Sequence, residues 1–181
     1  MLSDIVVINK IDSANPEEVY KVRQNIERVS PKAVIIEGAS PISLENFKDE
    51  SHIRNKKVLV IEDGPTLTHG EMKYGAGTIA AEKFGASEII DPRNYATGTL
   101  KDTYKKYPGI GNLLPAMGYG DKQIKDLETT INKIPCDSVI IGTPIDLRRL
   151  IKFKKPAVRV NYELQEIGKP DLRDIFTKIF S

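Results

Sequence analysis

Asp4-Ile5-Val6-Val7-Ile8 runs directly into Asn9-Lys10-Ile11-Asp12, and the reading of these residues decides the fold. The unbroken apolar run from Ile5 to Ile8 suits a strand buried on both faces of a parallel sheet. Asn-Lys-x-Asp at the end of such a strand is chemically suited to guanine. An aspartate carboxylate accepts two hydrogen bonds from the N1–H and the exocyclic amine, a fork that adenine does not offer. The Asn side chain supports the loop, and the Lys stem lies along the purine face. Open α/β sheets hold their ligands at the carboxyl ends of strands, where these residues would lie. A plainer reading stands beside this one: Asn9 and Asp12 as turn formers, with Asp12 or Ser13 capping the helix that Pro16-Glu17-Glu18 begins.

Downstream, Val19, Val22, Ile26 and Val29 fall on one face of a helix over 16–29, and Ala33-Val34-Ile35-Ile36 reads as a second strand. It ends in Glu37-Gly38-Ala39-Ser40-Pro41. Small residues at a strand end let backbone N–H groups approach a ligand, and GTPases place a Ser-Ala-Lys-like loop here against the guanine oxygen. Gly38, Ala39 and Ser40 are therefore candidate base contacts, or else an ordinary turn between helix and strand. The phosphate-cradling loop of GTPases, Gly-x4-Gly-Lys-[Ser/Thr], lies upstream of the base reader, and no stretch of the chain has that pattern. Residues 1–54 are expected to be the C-terminal part of a P-loop GTPase-like core. They hold two strands and one helix, too few to close a core, and need residues 55–181, another copy of the chain, or an N-terminal P-loop region.

The chain has 181 residues, 40% of them apolar and 29% charged, and a formal charge of +2. That length allows one sizeable core or two small ones. Residues 1–54 carry seven basic and nine acidic side chains, the remainder twenty and sixteen, so a nucleic-acid footprint is not expected and a local anion site in the second part is. The one cysteine, Cys136, reads as a small core residue in a reducing compartment. Without a stretch of membrane length or a secretory leader pattern, the expected location is the cytoplasm.

The polar segment 46–57 is read as the boundary. Beyond it, strands at 57–61, 87–90, 137–141 and 155–162 alternate with helices at 71–84 and 121–134, and a last amphipathic helix opens at Asp171 with Ile175, Phe176 and Ile179 on its apolar side. The expected fold is α/β, a mainly parallel, Rossmann-like sheet with helices on both faces, preceded by the P-loop NTPase remnant. Three loops open at the carboxyl edge. In Glu62-Asp63-Gly64-Pro65-Thr66-Leu67-Thr68-His69-Gly70 the hydroxyls of Thr66 and Thr68, His69, and Lys73 just beyond suit a phosphate at a free helix N-terminus. Glu62 and Asp63 could hold Mg²⁺, or serve as turn and capping residues. Gly75 and Gly77 are expected to let a helix pack closely on the sheet. In Ile141-Gly142-Thr143-Pro144-Ile145-Asp146-Leu147-Arg148-Arg149, two arginines in a first helical turn oppose the dipole unless they meet an anion or a salt-bridge partner, and Thr143 lies beside them. The stretch 107–120, rich in Gly and Pro, suits a functional loop or lid, or packing at a subunit interface. Arg93, in Asp91-Pro92-Arg93, is a further possible anion contact.

Together, Val7-Ile-Asn-Lys-Ile-Asp12, Glu62-Asp-Gly-Pro-Thr-Leu-Thr-His-Gly70, Asp91-Pro-Arg93, Leu114-Pro-Ala-Met-Gly-Tyr-Gly120 and Ile141-Gly-Thr-Pro-Ile-Asp-Leu-Arg-Arg149 resemble the C-terminal portion of the archaeal cyclic 2,3-diphosphoglycerate synthetase family, whose relatives are often described as predicted GTPases. The resemblance implies a phosphoryl-transfer enzyme that uses ATP or GTP with Mg²⁺ and acts on a phosphorylated small molecule such as 2,3-diphosphoglycerate. It implies these cofactors only for the full-length or assembled enzyme, since the P-loop lies outside these residues, and it names no catalytic residue. The alternative is a non-catalytic subunit that binds a nucleotide or phosphometabolite and partners a separate P-loop protein.

Overall fold

Apolar runs too short for helices, punctuated by Gly, Pro and Asp, produce nine strands among the described residues. The computed structural model describes residues 3–69 and 74–180, and for Phe47, Thr66, Thr68 and His69 the backbone alone. In chain order the first elements are β1 (Ile5–Ile8), α1 (Pro16–Val29), β2 (Val34–Ala39), β3 (Ile42–Leu44), β4 (Lys57–Asp63), α2 (Gly64–His69), α3 (Ala76–Lys83) and β5 (Glu88–Ile89). There follow α4 (Thr99–Lys106), β6 (Leu114–Ala116), α5 (Asp121–Lys133), β7 (Ser138–Gly142), β8 (Ala157–Tyr162), β9 (Gln165–Ile167) and α6 (Leu172–Phe180). Short 3-10 turns occupy Phe47–His52, Arg93–Tyr95 and Leu147–Arg149.

Two compact units result. The first comprises 1–41 and 162–181, the second 42–161. This differs from a division at 54/55, for two physical reasons. The polar segment after Asn46 folds into a 3-10 turn whose following residue, Ile53, is fully buried in the core of the second unit. The last strand and helix belong with the first unit because β9 pairs with β2.

In the first unit the sheet order is β1-β2-β9, with β1 parallel and β9 antiparallel to β2. Helix α1 is capped by Asn15, whose side chain accepts the Glu17 N–H at 2.8 Å, and not by Asp12 or Ser13. Asp171 caps α6 as expected, accepting the Asp174 N–H at 2.7 Å. The apolar stripe of α1 is only half-covered: Val19 and Ile26 are half-buried, while Val22 and Val29 are exposed. On α6, Ile175 is buried and Phe176, Ile179 and Phe180 are exposed.

The second unit is a mixed α/β fold around a mainly parallel sheet of order β3-β8-β7-β4-β5, with β6 also on β4. Strands β5, β6 and β7 all run parallel to β4, and β8 runs parallel to β7. The core is made where β4 and β7 lie side by side; Val58 to Ile61 and Val139 to Ile141 are fully buried, as runs apolar on both faces must be. The segment expected as an irregular lid at 107–120 is instead packed. Leu113, Leu114 and Ala116 are buried, β6 extends the sheet, and Tyr104 donates its hydroxyl to the Leu113 carbonyl at 2.7 Å. The helix expected over 71–84 is described from Ala76, and the loop before it contains the single-turn helix α2. Among the described residues no helix is long and apolar enough to cross a membrane.

Candidate functional site

In the first unit, parallel pairing sets Ile8 opposite Glu37, so Asn9 leaves the end of β1 beside Gly38, which continues β2 in its pairing with β9. The Ile11 N–H then donates to the Gly38 carbonyl at 3.1 Å, fastening one loop to the other. Ser40 completes the junction: its hydroxyl donates to Asn9 Oδ1 at 3.0 Å and its backbone N–H to Asp12 Oδ1 at 3.0 Å. Asn9 Oδ1 also accepts the Lys10 N–H at 2.8 Å. The turn closes through Lys10, which has a φ of +62° and whose carbonyl accepts from Ser13 and Ala14. A non-glycine residue in the left-handed region carries about 1–2 kcal/mol of strain, held here by those surrounding bonds.

All six base-site candidates thus gather at the ends of β1 and β2: Asn9, Lys10 and Asp12 in the loop after β1, Gly38 and Ala39 in the last two residues of β2, and Ser40 just beyond. Because Asn15 caps α1, the carboxylate of Asp12 is used at the loop junction and not in the helix. A neighbour that the sequence did not reveal is Leu164, just before β9. A Cβ added to Gly38 would collide with Leu164 Cδ1 and lie 3.5 Å from Asn9 Oδ1. The three residues of β9 gave too short a pattern for that pairing to be read.

In the second unit, β4 and β7 pair with Ile61 opposite Ile141 and Glu62 opposite Gly142, so the loops after these strands share the carboxyl edge. Glu62 is 1% exposed. Its Oε1 accepts the backbone N–H groups of Gly75 at 3.1 Å and Thr78 at 2.8 Å and the Thr78 hydroxyl at 3.2 Å. Burial pushes this carboxyl above the ordinary range, while the N–H groups of Thr78, Gly77 and Gly75 and the Thr78 hydroxyl pull the other way. The N-terminus of α3, read from sequence as free for a phosphate, therefore already holds the Glu62 carboxyl group. That engagement occupies Glu62 Oε1, and among the described residues no three His, Cys, Asp or Glu side chains form a metal-holding group. Asp63 is half-buried at the end of β4.

Two of the three arginines expected at an anion, Arg148 and Arg93, are engaged by carboxylates. Arg148 bonds Asp146 at 2.9 Å through Nε and pairs with Glu45 at 2.5 Å, and Asp146 caps the 3-10 turn by accepting the Arg148 N–H at 3.1 Å. Arg148 accordingly holds the Asp146 carboxyl below the usual range. Arg159, which sequence reading did not single out, lies opposite Ile141 and donates to the Pro144 carbonyl at 3.0 Å. Arg149 is 84% exposed, with Asp146 3.9 Å away. Arg93 pairs with Asp91 at 2.7 Å and donates to the Ile110 carbonyl, bracing the 107–120 segment against the Tyr104 ring. Thr143 is buried and donates its hydroxyl to the Ile145 carbonyl at 2.7 Å. Thr66, Thr68 and His69 are on α2, their side chains outside the description, and Lys73 lies outside the described residues altogether.

No family model matches the chain. It is similar to the curated protein "Arginine synthetase ArcE" of Thermococcus kodakarensis, with 61% identity over 174 residues. The alignment takes in 96% of this chain and 38% of that protein, so the chain spans less than two fifths of the length of the curated relative it matches.

Proposed function

We propose that these residues are part of a nucleotide-dependent synthetase, with the purine base of the nucleotide held at the loops 9–12 and 38–40. The observation that carries the reading is the meeting of Asn9, Asp12 and Ser40 at the ends of two parallel strands, the place and the polar groups that base recognition needs. Similarity to a protein named a synthetase supports the coupling of bond formation to a nucleotide. On this reading residues 1–41 are the base-reading remnant of a P-loop core. The phosphate cradle and its Mg²⁺ come from polypeptide outside the 181 residues, either the remainder of a longer chain or a separate P-loop protein.

For the substrate, arginine-forming chemistry like that in the relative's name is favoured over cyclisation of 2,3-diphosphoglycerate. The relative's printed name supports this, and two of the arginines that two phosphates would call for, Arg93 and Arg148, are spent on Asp91, Ile110, Asp146 and Glu45, which leaves Arg149 exposed. The test of the base site is calorimetry on the chain with GDP and with ADP. Guanine is expected to bind at least about tenfold more tightly, and Asp12→Asn to remove the preference by taking away the acceptor fork. Equal affinity for the two nucleotides would reduce 9–12 to a structural turn.

A further inference from the structure

Leu164 is a large apolar side chain, 43% exposed, set beside the polar junction of Asn9, Asp12 and Ser40. Its place follows from the sheet. β9 is antiparallel to β2 with Ala39 opposite Gln165 and Gly38 opposite Glu166, so the residues entering β9 arrive where β2 ends. Leu164 Cδ1 lies directly over Gly38, the one residue of that strand end without a Cβ to displace it. Small-molecule sites combine an apolar wall with a few convergent polar groups, and a purine has both a flat apolar face and a hydrogen-bonding edge. Asn9, Asp12 and Ser40 supply the second requirement only.

Resting on the base-site reading above, we infer that Leu164 is the apolar wall of that site, against which the face of the purine packs while its edge meets Asp12. Affinity and discrimination then belong to different residues. Leu164 strengthens binding of any purine through area removed from water, and Asp12 chooses between guanine and adenine. The strained turn at Lys10 fits the same arrangement, because it fixes the loop opposite before any ligand arrives.

The experiment is a titration of the ¹⁵N-labelled chain with GMP and with AMP, following the amide signals of Lys10, Gly38 and Ser40. In the parent chain GMP is expected to move these signals more strongly than AMP. Leu164→Ala should weaken both nucleotides about fivefold or more and leave their ratio unchanged, and Leu164→Met, which keeps an apolar side chain, should restore most of the loss. Asp12→Asn should change the ratio. If Leu164→Ala binds like the parent while Asp12→Asn still abolishes the preference, the wall is refuted and the base site stands. If no signal at Gly38 or Ser40 moves in the parent, both are refuted. Unchanged thermal unfolding of the two Leu164 variants separates a lost contact from a lost fold.

Discussion

Gly142 shows how narrowly a single position can be prescribed. A Cβ there would lie 2.5 Å from Glu62 Oε2 and 2.7 Å from the Gly77 backbone nitrogen, so helix and strand touch through glycines around one buried carboxylate. Gly142→Ala is expected to cost about 2–4 kcal/mol of unfolding free energy, because the backbone of α3 must retreat and its bonds to Glu62 lengthen. Gly109→Ala, where nothing lies within 4 Å, should change stability by less than about 0.5 kcal/mol. Urea titrations of both variants check this, and equal midpoints would contradict it. The sequence foretold close packing at Gly77 but not its object. Buried charge partners lie far apart in the chain, and Glu62 read equally well as a metal ligand or a turn residue.

Helix caps were legible only in part: the sequence points to Asp12 or Ser13 at the start of α1, where the cap is the nearby Asn15. Asp171 could be read from its position before an apolar helix, but the N-terminus of α4 is capped by Asp126, a residue of α5 that accepts the Thr99 N–H at 2.9 Å and hydroxyl at 3.0 Å. The Thr99 N–H leads in holding the Asp126 carboxyl below the usual range, opposed by burial and helped by the Thr99 hydroxyl and by Lys122 and Lys125. A depressed native value means that the bond contributes fully above the unfolded-chain value of about 4 and is lost as pH falls toward the native value. Asp126→Ala should therefore destabilise by about 1 kcal/mol near pH 7, with the gap to the parent closing in acid. Unfolding midpoints measured from pH 7 to pH 3 that fall in parallel for the two chains would rule this out. The strands β4 and β7 and their shared edge were readable from apolar runs; β6 was not, since three residues inside a Gly- and Pro-rich stretch carry no periodicity, and only pairing with β4 holds them as a strand.

For the molecule as a whole, alternation of strand and helix was enough to anticipate a mainly parallel sheet, while the division into units was not, because it depends on a strand pair between Ala39 and Gln165 that is remote in sequence. The second unit holds most of the buried apolar residues, so residues 42–161 made alone are expected to unfold in one cooperative transition by circular dichroism and tryptic digestion; a gradual loss of signal would show that they depend on the rest. Within the first unit β2 and β9 are hydrogen-bonded neighbours, and within the second β3 and β8 are. Residues 42–161 thus begin and end in adjacent strands, like a phrase set between brackets. A reporter domain whose own ends lie close together is therefore expected to replace them without loss of the β2–β9 pairing.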